Sequence, residues 1–90
     1  MRPASPATAL EFPCAFPVKI IGRDTDDFEA FVALVVRKHV PHPADVAVTS
    51  RPSHGGKYRA VTVTFMAQSK AQLDALYLEF SQSARVLMTL

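Results

Sequence analysis

The groups with which this chain could do chemistry are three histidines, one cysteine, six serines and a cluster of carboxylates. His39 and His42 stand three apart, a spacing that can hold a metal on a helix. Pro41 and Pro43 break any helix there, and no Cys or carboxylate nearby completes a tetrahedral set, so no metal site is expected. Cys14 sits among prolines with no base beside it and reads as a small apolar filler rather than a nucleophile. The serines at 5, 50, 53, 69, 81 and 83 fall in tail, turn and cap positions, where serine serves the backbone. Asp24, Asp26, Asp27 and Glu29 could suggest general acid–base work. Their place before an apolar helical stripe makes them first-turn charges that suit the helix dipole. No catalytic residue and no cofactor is expected, and the chain reads as a non-enzyme.

Binding chemistry is better represented. Gly22, Arg23, Asp24 and Thr25 join a strand end to a helix start, where a glycine lets backbone approach a ligand and free N–H groups favour an anion. The acidic neighbours oppose that anion. Arg51, Lys57 and Arg59, with His54, make a basic patch around a Gly-Gly turn, suited to weak phosphate contact.

These groups must be positioned by elements that the periodicity defines. Ninety residues, 49% hydrophobic and 20% charged, make one domain and exclude disordered and fibrous classes. The net charge of +2 does not by itself demand an acidic partner. Residues 1–9 hold two of the seven prolines and read as a flexible tail, with a single domain over 10–90. The amino-terminal stretch lacks the apolar run of a signal peptide, and no segment has a membrane-spanning length of apolar residues. With one cysteine there is no disulfide framework, and a cytoplasmic location is expected.

Phe16, Val18 and Ile20 alternate in a first strand over 16–22. Phe28, Phe31, Val32, Val35, Val36 and His39 form a helical stripe capped at Asp24 or Thr25 and stopped by Pro41. Residues 44–51 and 57–67 alternate as two strands of a hairpin across Pro52 to Gly56. Ser69 and Gln72 make a capping box before the stripe Leu73, Leu76, Tyr77 and Phe80. Val86, Met88 and Leu90 alternate in a last strand. The order βαββαβ, with one apolar stripe per helix, predicts an α+β ferredoxin-like plait. It has a four-stranded antiparallel sheet in order 4-1-3-2 and both helices on one face.

The face away from the helices would carry Ile21, Thr49, Tyr58, Ala60, Thr62 and Thr64, with Ala47 and Leu87. It is less polar than a fully wet sheet and could dock a second copy or another protein. The RNA-recognition module shares this element order and stacks bases on aromatics of its first and third strands. Only Tyr58 could stack here, and Ala60 stands where a second aromatic is expected, which argues against sequence-specific RNA binding.

The segment Leu10-Glu11-Phe12-Pro13, with Phe16, Lys19 and Gly22, resembles the YbeD-like family of small bacterial proteins. So do Ser53, Gly56, Tyr58 and Val61 around the hairpin, and the closing Val86, Met88 and Leu90. The resemblance spans residues 10–90. It implies a fold similar to the ACT-type regulatory domains of amino-acid metabolism, whose small effectors bind near the turn from first strand to first helix. It also implies a suggested, unestablished link to lipoate metabolism, and it carries no catalytic residues.

The expected function is therefore a non-enzymatic regulatory or protein-interaction module, with an unknown protein partner or a homodimer. An ACT-type small-molecule sensor using Gly22 to Thr25 is the alternative, and a weak nucleic-acid binder through Arg51, Lys57 and Arg59 is the third.

Overall fold

The structure, a computed structural model, describes residues 11–90; the expected tail over residues 1–9 and Leu10 lie outside the described residues. The elements are β1 (Cys14–Arg23), α1 (Phe28–Lys38), β2 (Ala47–Ser53), β3 (Tyr58–Ala67), α2 (Lys70–Ser81) and β4 (Val86–Thr89). Short 3-10 turns lie at Pro43–Asp45 and His54–Gly56. The sheet order is β2-β3-β1-β4, which is the expected 4-1-3-2 counted from the other edge, and all its pairings are antiparallel. Among the described residues no helix is long and apolar enough to cross a membrane.

The period-2 pattern sorts the two sheet faces. Val18 and Ile20 of β1 and Val61, Val63, Phe65 and Ala67 of β3 point into the core. There they meet Phe28, Val32, Val35 and Val36 of α1 and Leu73, Leu76 and Phe80 of α2, so both helices cover this one face. Phe12 packs partly buried against the same cluster. Pro17 is tolerated within a central strand for a geometric reason. Lys19 donates to and accepts from Leu90 on the β4 side, so two residues earlier the missing N–H of Pro17 would point past that pair.

The two helix starts differ. At α2 the Ser69 hydroxyl accepts from the Gln72 N–H at 3.1 Å, as the capping box predicts. The Gln72 side chain does not return to Ser69, however. Its oxygen accepts from the Gln68 N–H at 2.6 Å and its amide donates to the His39 carbonyl at 2.5 Å, which ties the start of α2 to the end of α1. At α1 the cap is Asp27, not Asp24 or Thr25, and its side chain makes no capping bond. The Arg85 guanidinium and the Thr25 hydroxyl take that carboxylate instead, and a charge-assisted pair outcompetes a neutral N–H.

The last strand corrects one expectation. Ile20 pairs with Thr89 and Ile21 with Met88, but Gly22 pairs with Val86, so a β-bulge at Leu87 inserts one extra residue. Val86 faces the core, while Met88 and Leu90 share the opposite face with Ile21 and Lys19. The three do not line one face, as unbroken alternation predicts.

The helices are also joined by charge. Glu79 of α2 receives Lys38 and, at 2.7 Å, His39 Nε2. These hydrogen bonds, Lys38 first and then His39, hold the Glu79 carboxyl below its ordinary value of 4.5. A lowered acid stabilises the fold above its unfolded value and loses that contribution as pH falls through the folded one. Glu79→Gln should therefore be less stable than the native chain near neutrality, by at most about 1 kcal/mol for so exposed a pair. The gap should close as pH drops below 4.5 and through the lowered folded value, measured by urea unfolding at stepped pH. A gap that persists unchanged at pH below that range would show that the ion pair is not its source.

Candidate functional site

The turn from β1 to α1, the expected ligand site, is built from contacts within the chain. Gly22 is buried, and a Cβ placed on it would lie 2.4 Å from the Arg85 carbonyl oxygen and 2.5 Å from the Phe28 ring. The glycine thus admits Phe28, where the sequence suggested the approach of a ligand. Asp24 pairs with Arg59 Nε at 2.8 Å, and its N–H donates to the Lys57 carbonyl at 3.0 Å. The Thr25 hydroxyl donates to Asp27 at 3.1 Å and accepts from Arg85 at 3.1 Å. Hydrogen bonds from Arg85 and then Thr25 hold the Asp27 carboxyl below the usual range. Arg85 also lies over the Phe31 ring, 4.6 Å from its centroid, and so closes the turn from the side of α2. Of the four expected ligand residues, Arg23 alone has neither burial nor a side-chain partner among the described residues.

The basic hairpin divides between the two sheet faces. Arg59 pairs in register with Gly22 and Pro52 and follows the core-facing parity of Val61. Its guanidinium bonds Asp24 and, at 3.0 Å, the Ser50 hydroxyl, which itself donates to Glu29. Asp24 holds Arg59 firmly charged, so this cation is a brace between β3, β2 and the start of α1. Arg51 pairs with Ala60 and lies on the opposite, open face. Lys57 is exposed at the hairpin end, and the side chain of His54 lies outside the described residues. Strand alternation explains the division: 51 and 59 are eight apart in sequence but occupy opposite parities across the β2–β3 register.

The open face is the remaining assembled surface, and its rows follow from the pairing. One row runs Leu90, Lys19, Thr62 and Thr49; the next runs Met88, Ile21, Ala60 and Arg51; Arg23, Tyr58 and Ser53 form the third. Thr64 lies between Pro17 and Ala47 on the same side. All six expected face residues, Ile21, Thr49, Tyr58, Ala60, Thr62 and Thr64, are brought together. The strand parity of Thr49, Tyr58, Ala60, Thr62 and Thr64 was sufficient to place them. Leu87 was expected with them but is the bulge residue, and Met88 and Leu90 take its place, 52% and 59% exposed. Nothing in the run Val86-Leu87-Met88 marks a bulge, since all three side chains are apolar. A shallow depression of about 260 Å³ lies between Lys19 and Arg51, with Ala60, Thr49 and Thr62 lining it.

Architecture and surface together define a two-layer α+β plait with one sheet face covered by helices and one uncovered. Residues 7–90 match the family model described as "Protein of unknown function (DUF493)". A UPF0250 protein of Chromobacterium violaceum is 45% identical over 81 residues, spanning 90% of this chain and 91% of that one. A UPF0250 protein of Neisseria gonorrhoeae is 41% identical over 71 residues, spanning 79% and 78%. The chain belongs to this DUF493/UPF0250 family, as its resemblance to YbeD-like proteins implies. The solution structure of HP0495 from Helicobacter pylori superposes with a TM-score of 0.67 at 15% identity, covering 99% of this chain and 98% of that one, and so shares the fold.

The role given to Gly22 is testable. Gly22→Ala must displace either backbone at Arg85 or the Phe28 ring, and overpacking of this kind costs about 1–3 kcal/mol or more. A clear fall in the urea midpoint is expected. An unchanged midpoint would return Gly22 to the list of residues free to meet a ligand.

Proposed function

We propose that this chain is a non-enzymatic regulatory module that works by docking a partner protein on the open face of its sheet. The observation that carries the proposal is the uncovered face itself. Met88 and Leu90 are exposed apolar side chains there, next to the half-buried Ile21 and the small side chains of Ala60 and Thr62. Several of the groups that could have served catalysis are engaged in structure. Ser69 caps α2, Ser83 accepts from the Arg85 N–H, and Ser50 and His39 are held by carboxylates. Cys14 is half-buried, and a lone thiol suits a reducing compartment, so the proposal places the module in the cytoplasm.

A second reading has its own observation. An open cleft of about 230 Å³ beside the β1–α1 turn is lined by Phe28, Ala84 and Leu87 and by the guanidinium-bearing Arg23 and Arg85. Arg23, which has no side-chain partner among the described residues, favours a small carboxylate effector, as an ACT-type sensor would bind, whereas Arg85 is already paired with Asp27. Such a ligand would raise the melting temperature by mass action in a panel of amino acids and lipoate-like acids. A flat panel removes this reading.

The docking proposal predicts that a bulky neutral side chain on the face blocks association without unfolding the chain. Thr62→Trp should keep the native melting temperature yet lose the protein retained by the tagged native chain from its source lysate. Arg37→Glu, on the exposed side of α1, should keep it. Equal retention by Thr62→Trp and the native chain would overturn the proposal.

A further inference from the structure

We infer that the open face takes an acidic, amphipathic segment of a partner protein, its carboxylates meeting Lys19 and Arg51 and its aliphatic side chains meeting Met88 and Leu90. The inference rests on the docking proposal above and adds the chemistry of the partner. It starts from how charge is distributed. The ion pairs among the described residues are Arg59–Asp24, Arg85–Asp27, Lys38–Glu79 and Lys70–Asp74, together with His39–Glu79. All of them involve the helices, their connections or the helix-side face of β3. The strand positions of the open face carry Lys19, Arg23 and Arg51 and no carboxylate side chain, with Lys57 at the adjoining hairpin end. A chain with nearly balanced charge, ten Lys and Arg against eight Asp and Glu, has thus left the strand positions of one face with charged side chains of a single sign.

The geometry then selects the kind of anion. Lys19 and Arg51 flank the 260 Å³ depression, whose lining includes the side chains of Ala60 and Thr62. That space admits a carboxylate, with charge-assisted bonds from either side. In the same rows Leu90 lies beside Lys19 and Met88 beside Ile21, so apolar groups border the cations directly. A methionine in such a place adapts to varied aliphatic partners. Single-stranded nucleic acid would match the sign but calls for flat aromatic platforms, and among the described strand positions of this face Tyr58 is the one aromatic. A second copy docked face to face would gather cations from both copies into one interface with no carboxylate side chain from the strand positions to pair them, which opposes self-association here.

The test uses the full chain, amide-resolved NMR titration and three probes. One is an amphipathic peptide of about four helical turns with Leu on one face and Glu flanking it. The others are the same peptide with Gln for Glu, and oligothymidylate. The Glu peptide should shift the amides of Lys19, Ile21, Ala60, Thr62 and Met88. Its affinity should fall at least about tenfold in the folded double variant Lys19→Glu, Arg51→Glu, and fall with added salt. Equal binding by the Gln peptide would overturn the acidic partner while leaving the docking proposal standing. Shifts confined to other surfaces, or none with either peptide, would overturn both. Oligothymidylate moving the same amides at lower concentration than the Glu peptide would replace the protein partner with nucleic acid.

Discussion

Three parts of the chain converge on the Cα of Gly22. It is the last core-facing position of β1, the Phe28 ring that opens α1 packs close enough against it to exclude a methyl, and the Arg85 carbonyl closes on the same point. Phe28 is fully buried, and a side chain of its size contributes roughly 2–3 kcal/mol by leaving water. The contact fixes where α1 leaves the sheet, and it sets the depth at which the connection from α2 passes. Because Arg85 is seated there, Val86 enters the sheet opposite Gly22 and the bulge follows at Leu87. The parity of β4, and with it the identity of the exposed strip, descends from one missing side chain.

Charge follows the same division into two sides. The β1–α1 turn concentrates acids where the helix dipole favours them, and the fold brings basic partners to those acids from distant segments, Arg59 from β3 and Arg85 from the connection before β4. Arg59 reaches across to Ser50 and through it to Glu29, so the edge strand β2, whose Val48 packs partly buried against the core, is also braced to α1 by polar side chains. Such exposed pairs each add little, but they orient the turn and the edge. What they leave on the open face is cationic, since Asp24, Asp27, Glu29, Asp74 and Glu79 are engaged on the helix side.

The plait was readable because its signals are local. Alternation in β1 and β3, two apolar stripes and Ser69 with Gln72 identify the elements, and right-handed crossovers then order the sheet. Pro17 within a central strand did not mislead, since its missing donor falls beyond the Lys19–Leu90 pair. Failures occurred where a long-range partner outbid a local rule. Asp27 takes the cap position because the turn must bring Phe28 over Gly22, and its carboxylate turns to Arg85, fifty-eight residues away. The grouping of Arg59 with Arg51 treated a hairpin as a point, though its two strands present alternating faces. Leu87 carried no Gly, Pro or polar residue to announce a bulge, and a single extra residue there reversed Met88 and Leu90. The six face residues are brought together because a face requires only parity; the packing of Phe28 and Arg85 behind Gly22 was not legible, because it depends on long-range contacts.

The size of the open face limits the complex it can make. Four strands at about 4.8 Å spacing and a longest strand near 33 Å span a footprint of roughly 600 Å², below the approximately 800 Å² per partner of a standard stable interface. A segment lying on it would therefore bind weakly and exchange readily unless charge adds to apolar burial. Clustered cations suit that requirement, because they raise the rate of encounter more than they lengthen residence. The covered face already contains the buried apolar core, so changes on the open face need not disturb folding. A small domain so divided holds its fold with one layer, and on the docking proposed above its other layer would make a transient, salt-sensitive contact.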